Sequence, residues 1–181
     1  MLGEVALLVC GLSLLVAGAS QMLGTTDLRS ALREHRMLPK RIVPALAAAL
    51  SIVEVCLGGG LLAFALWPGV DPTTGSALAA AASGLLLAYA CYLSAVLCFR
   101  GPGVPCGCGF AREPITTATV ARAGLLSALA GVAALDSAPV AGEHPFLEAL
   151  IISVAALALG SIIWSLPGAL ADPYERSDVR A

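Results

Sequence analysis

"SALAAAASGLLLAYACYLSAVLCF", from Ser76 to Phe99, carries no charged side chain. A run of this length meets the roughly 20 apolar residues that a helix needs to cross a bilayer core. Its apolar residues cover all sides of a helix rather than one stripe, as expected where lipid is the solvent. Working outward, four further runs have the same character: about Val5 to Leu23, Ile42 to Trp67, Ile115 to Leu135 and Phe146 to Leu166. Short polar or Pro/Gly breaks separate them, among them "WPGVDPTTG" and "DSAPVAGEHP". The chain is 59% hydrophobic and 12% charged, with a mean hydropathy of +0.91. A soluble domain carries about twice that charge fraction. The net charge of -2 gives no footprint for nucleic-acid binding. The expectation is an all-α integral membrane protein: a bundle of about five transmembrane helices forming one domain over residues 1–170, and a polar tail over residues 171–181.

The first run has Glu4 and no Lys or Arg before Arg29, so it reads as a retained helix rather than a cleaved secretory signal. Between the first two runs lies "TTDLRSALREHRMLPK". Thr26 or Asp27 can cap a helix there, and Pro39 follows its end. Leu28, Leu32 and Met37 or Leu38 tend to one side, opposite Arg29, Arg33 and Arg36. That pattern gives a short amphipathic helix in the membrane interface, with a solvated basic loop as the other reading. His35 reads as a solvated residue. The ten Lys and Arg residues gather around this segment, around the third inter-span loop and in the tail. With five spans all of them fall on one side, and the positive-inside rule puts the N-terminus outside and the C-terminus in the cytoplasm. Trp67 and Trp164 fit interfacial anchoring.

The Ser76–Phe99 run leads into "RGPGVPCGCGFAREP", Arg100 to Pro114. A Cys-x-Cys pair closes a strained ring when oxidised, and strain makes a disulfide easier to reduce. Gly107 relieves part of that strain, and Arg100 and Arg112 favour the reactive thiolate. Cys106 and Cys108 are therefore candidate exchanging thiols, with soft-metal ligation such as Cu(I) and a plain Gly-rich turn as alternatives. On the cytoplasmic side a static disulfide is not expected. Cys98, at the end of the third run, is a candidate resolving thiol, and Cys91, seven residues earlier, offers a relay position. Cys10 and Cys56 read as packing residues. Glu54, in "SIVEVCLGGG", is an intramembrane acid, with Arg122 in the fourth run as its candidate partner. Gly58, Gly59 and Gly60 permit close helix approach.

These motifs, in this order, resemble the MauE family within the wider MauE/DoxX group of redox-associated membrane proteins. The resemblance covers about residues 5 to 165. It rests on the opening hydrophobic helix, "LRSALREHRMLP", "VEVCLG" with its acid, "CGCGF" after the third span, and an Arg early in the fourth. It implies a role in methylamine metabolism, supporting maturation of an extracytoplasmic disulfide-rich protein alongside a thioredoxin-like partner. Cys106 and Cys108 would then exchange thiols, with Glu54 and Arg122 as polar support or a proton site. A soft-metal binding or transport protein and a non-catalytic scaffold are the alternative functions. A quinone cofactor is compatible with such a protein but has no sequence signature here.

Overall fold

The computed structural model describes residues 2–24, 28–66, 71–101, 103–107 and 114–135, together with 154–155, 158 and 160–162. Its continuous helices are α1 (Leu2–Met22), α2 (Leu28–His35), α3 (Val43–Leu66), α4 (Pro72–Arg100) and α5 (Thr117–Leu135). Four of these, α1, α3, α4 and α5, are long and apolar enough to cross a membrane. The expected fifth span falls mainly outside the described residues, as do Trp67, Trp164, the candidate caps Thr26 and Asp27, and the C-terminal tail.

The four long helices pack in two main pairs, α1 with α3 and α4 with α5, joined by α1–α5 and α3–α4 contacts. Small residues allow this closeness. A Cβ at Gly58 on α3 would lie 2.5 Å from the Leu15 backbone nitrogen and 2.8 Å from the Gly11 carbonyl oxygen on α1. A Cβ at Gly18 on α1 would meet Glu54 Cβ at 2.8 Å. Of the three consecutive glycines on α3, Gly58 serves this approach, Gly59 faces open space and Gly60 meets the Leu78 side chain at 3.4 Å. On the other pair, Ala79, Ala82, Ala130 and Ala133 are buried. Ser83 Oγ donates to the Ser127 carbonyl and Ser127 Oγ to the Ser83 carbonyl, each at 2.9 Å. Reciprocal hydrogen bonds of this kind tie helices together where no hydrophobic effect separates protein from lipid.

Helix α4 starts at Asp71, whose side chain accepts from the Thr73 backbone N–H at 3.2 Å, with Pro72 in the first turn. It ends at Gly101, whose N–H donates to the Leu97 carbonyl at 3.0 Å. Its 29 residues span about 44 Å at 1.5 Å per residue, well beyond a hydrocarbon core of about 30 Å. The helix is therefore longer than the apolar layer is thick, and the cysteine loop begins at its Arg100 end.

Helix α2 forms, but its apolar face is covered by protein. Leu28 and Leu32 join Val43 and Ala47 of α3 in one buried cluster, with Leu38, Leu50 and Tyr92 against it. Met37 is exposed, so Leu38 is the residue that continues this face. Arg29, Arg33, Arg36, Lys40 and Arg41 are exposed. His35, expected in solvent, is instead 1% exposed. It lies seven residues after Leu28, on the same helix face, and that face is pressed against the bundle.

Candidate functional site

Residues 103–107, between α4 and α5, fold back onto the bundle. Gly101 and Gly103 both adopt positive φ, a backbone region that glycine enters without steric cost. The strand-like stretch that follows is pinned by the Ile115 N–H donating to the Val104 carbonyl at 2.7 Å and by an antiparallel bridge between Pro105 and Pro114. Cys106 comes next. It is 3% exposed and packs with Leu93 and Val96 of α4 and with Ile115. Gly107 has φ 70°, and a Cβ there would lie 2.7 Å from the Ala31 side chain of α2. Glycine at 107 is thus required twice, by its backbone angle and by the closeness of α2. Cys108 and Arg112 lie outside the described residues.

Two partners hold the His35 ring in place. Nδ1 is 2.9 Å from the Tyr92 hydroxyl and Nε2 is 2.9 Å from the Pro105 carbonyl oxygen. A carbonyl only accepts, so Nε2 carries a proton; in the neutral ring Nδ1 then accepts from Tyr92. The His35 carbonyl accepts from Arg100 Nε at 3.0 Å. The next residue, Arg36, takes φ 51°, so the chain leaves α2 through a left-handed turn. One histidine therefore ties α2, α4 and the residue preceding Cys106 together. The sequence carried one sign of this: His35 continues the Leu28–Leu32 stripe at helical spacing.

A small cavity of about 60 Å³ lies among the long helices, lined among others by Ser13 of α1, Glu54 of α3, Tyr89 and Leu93 of α4, and Thr119 and Arg122 of α5. Leu93 is common to its wall and to the Cys106 cluster. Glu54 is 2% exposed and Arg122 7%. The structure brings these two candidate partners to one cavity, where the Tyr89 hydroxyl donates to Glu54 Oε1 at 2.6 Å. The second oxygen, Oε2, is buried and makes no hydrogen bond. Tyr89 and Tyr92, three residues apart on α4, thus hold Glu54 and His35 respectively. The cavity exceeds the roughly 10–15 Å³ that one water needs, but its wall is mostly apolar.

The remaining cysteines are scattered. Cys98 and Cys91 are exposed on α4, whereas Cys106 packs on the face that carries Leu93 and Val96. Two residues along a helix is about 200° of rotation, so Cys98 points away from the side that receives Cys106. Cys56 is exposed on α3. Cys10 is buried and lies 3.4 Å from the Leu126 carbonyl as a packing thiol. Among the described residues no three His, Cys, Asp or Glu side chains are grouped to hold a metal ion.

No curated protein and no solved structure matches the chain. The family described as methylamine utilisation protein MauE matches residues 1–136, a stretch that takes in all four long helices, α2 and the cysteine loop. With that match over most of its length, the chain is a multi-pass membrane protein that belongs to the MauE family.

Proposed function

We propose that this protein is a membrane thiol-disulfide exchange factor that supports maturation of an extracytoplasmic protein, working with a thioredoxin-like partner. The observation that carries this reading is the anchoring of Cys106 and Gly107. Cys106 is held between α4 and Ile115, its loop is fastened by His35 and by close packing at Gly107, and Leu93 of its packing cluster also lines the small cavity that holds Glu54 and Arg122. A turn of no functional consequence needs none of this.

In one exchange cycle the Cys106 thiolate attacks a sulfur of the partner's disulfide and displaces the other sulfur as a thiolate. Cys108 then attacks the mixed disulfide, leaving a Cys106–Cys108 disulfide and a reduced partner. Two electrons and two protons pass in total, and the reverse sequence oxidises a dithiol. The outward placement of Cys98 favours Cys108 as the resolving thiol. Glu54, with Tyr89 and Arg122 at the same cavity, supplies a place for a proton inside the bundle. The soft-metal reading is the weaker one, since both ring nitrogens of His35 are already engaged.

The exposed basic residues of α2 lie at the same end of the bundle as the loop, because His35 contacts Pro105. The positive-inside rule assigns that end to the cytoplasm. Maturation of an outer protein from there requires reducing equivalents to cross the bilayer. Impermeant thiol labelling of intact cells decides the side.

The burial of Cys106 is the observation that favours a second reading, a scaffold that holds a redox partner without exchanging thiols. Trapping separates the two. In Cys108→Ser a mixed disulfide through Cys106 should accumulate with the thioredoxin-like protein. Normal maturation by a Cys106→Ser, Cys108→Ser double variant supports the scaffold instead.

A further inference from the structure

Cys106 in this conformation cannot meet another protein's disulfide: at 3% exposure its sulfur has no approach for the in-line attack that exchange requires. The spans cannot open to expose it without breaking the small-residue contacts of α1 with α3 and the Ser83–Ser127 bonds of α4 with α5. The loop is the part that can move. It is bounded by Gly103 and Gly107, both at positive φ, and glycine there can change its angles at little cost.

Beside the Pro105–Pro114 bridge and the packing of Cys106 and Gly107, two hydrogen bonds fasten the moving part. One is the Val104–Ile115 hydrogen bond at its base. The other comes from His35, whose Nε2 holds the Pro105 carbonyl, one peptide before the thiol. The ring is buried and braced from behind by Tyr92. Arg100, the last residue of α4, satisfies the His35 carbonyl. Release of the Nε2–Pro105 bond lets the segment lift off α2 and turns Cys106 outward, while the four long helices keep their packing.

We propose that His35 is a positioning residue that latches Cys106 closed, and that exchange proceeds from the unlatched loop. The proposal rests on the exchange reading for its purpose, but not for its measurement. Partner docking against α2 would compete for the surface that Ala31 and Leu28 now present to Gly107, which gives the latch a release.

The test is site-resolved alkylation of the reduced, full-length protein in lipid nanodiscs with N-ethylmaleimide, read by peptide mass spectrometry. Loss of a buried hydrogen bond shifts an opening equilibrium by up to about tenfold. His35→Phe removes both ring hydrogen bonds and should raise the Cys106 rate several-fold, up to about tenfold. Tyr92→Phe, which keeps the Pro105 bond, should raise it by less. Cys10, 1% exposed in the core, should stay protected in both, which a general loosening of the bundle would not allow. A Cys106 rate within twofold of the parent in His35→Phe overturns the latch. So does a parallel rise at Cys10. If His35→Phe does not fold, Tyr92→Phe decides alone, and an unchanged Cys106 rate there overturns the proposal. Faster alkylation with no mixed disulfide to any partner keeps the latch and removes the exchange reading; unchanged alkylation with efficient exchange does the reverse.

Discussion

Gly58→Ala and Gly59→Ala form a matched pair whose outcomes should have opposite signs. The residues are neighbours on α3, and both changes add one methyl group. At Gly58 the new Cβ falls 2.5 Å from the Leu15 nitrogen, 2.8 Å from the Gly11 oxygen and 2.9 Å from the Leu15 Cα. All three atoms are backbone and cannot rotate away. An ordinary carbon contact begins near 3.4 Å, so α1 and α3 must part by most of an ångström. Overpacking of this kind costs about 1–3 kcal/mol; contact with the α1 backbone, which cannot rotate away, puts this case in the upper half. Replacing a helical glycine by alanine returns about 1 kcal/mol, so Gly58→Ala should lose about 1–2 kcal/mol net. At Gly59 nothing lies within 4 Å, and only the helix-propensity gain of about 1 kcal/mol remains. The two variants should differ by roughly 2–3 kcal/mol. Reversible unfolding in mixed micelles of dodecyl maltoside with increasing dodecyl sulfate, followed by circular dichroism, measures this. Midpoints that coincide, or a Gly59 variant as weak as the Gly58 one, would refute the packing of α1 on α3.

Tyr89→Phe removes the hydrogen bond to Glu54 Oε1 and should cost about 1–3 kcal/mol in the same assay. Glu54→Leu in that background should recover part of the loss, because the unpaired polar group goes with it; no recovery would show that Tyr89 acts elsewhere. Bonds from Thr73 hold the Asp71 carboxyl below its ordinary value of 3.8. A depressed acid stabilises the fold above the unfolded pKa and loses that effect as pH falls through the folded one. The first turn of α4 should therefore stay protected from hydrogen exchange at pH 4 and loosen only below the ordinary carboxylate range; Asp71→Ala should abolish that pH step.

The four long helices are legible because lipid demands uninterrupted apolar length, and Val5–Leu23, Ile42–Trp67, Ser76–Phe99 and Ile115–Leu135 supply it without help from distant residues. The Leu28–Leu32 spacing likewise announces α2. What covers its apolar face is not legible, since lipid and protein ask for the same stripe. His35 shows why. Its partners Tyr92 and Pro105 are 57 and 70 residues away, and only the folding of the loop onto α2 turns a histidine among arginines into a buried clamp. Glu54 declares itself as an intramembrane acid. Its donor does not: tyrosine is ordinary in an apolar run, and Tyr89 gains a role only when α4 lies beside α3. The three glycines after Glu54 look equivalent in a string, yet Gly58 alone among them meets backbone, because helix rotation sends each to a different side.

The account stands or falls on the redox coupling of Cys106 with Cys108. Membranes carrying the full-length protein, mixed with the thioredoxin-like partner in its reduced or its oxidised form, can be quenched with acid, alkylated and digested. The Cys106–Cys108 peptide should then switch between dithiol and disulfide in step with the partner's state, and Cys10 should not respond. A peptide that stays a dithiol under both conditions, with partner binding intact, would contradict the claim and leave the protein a membrane anchor.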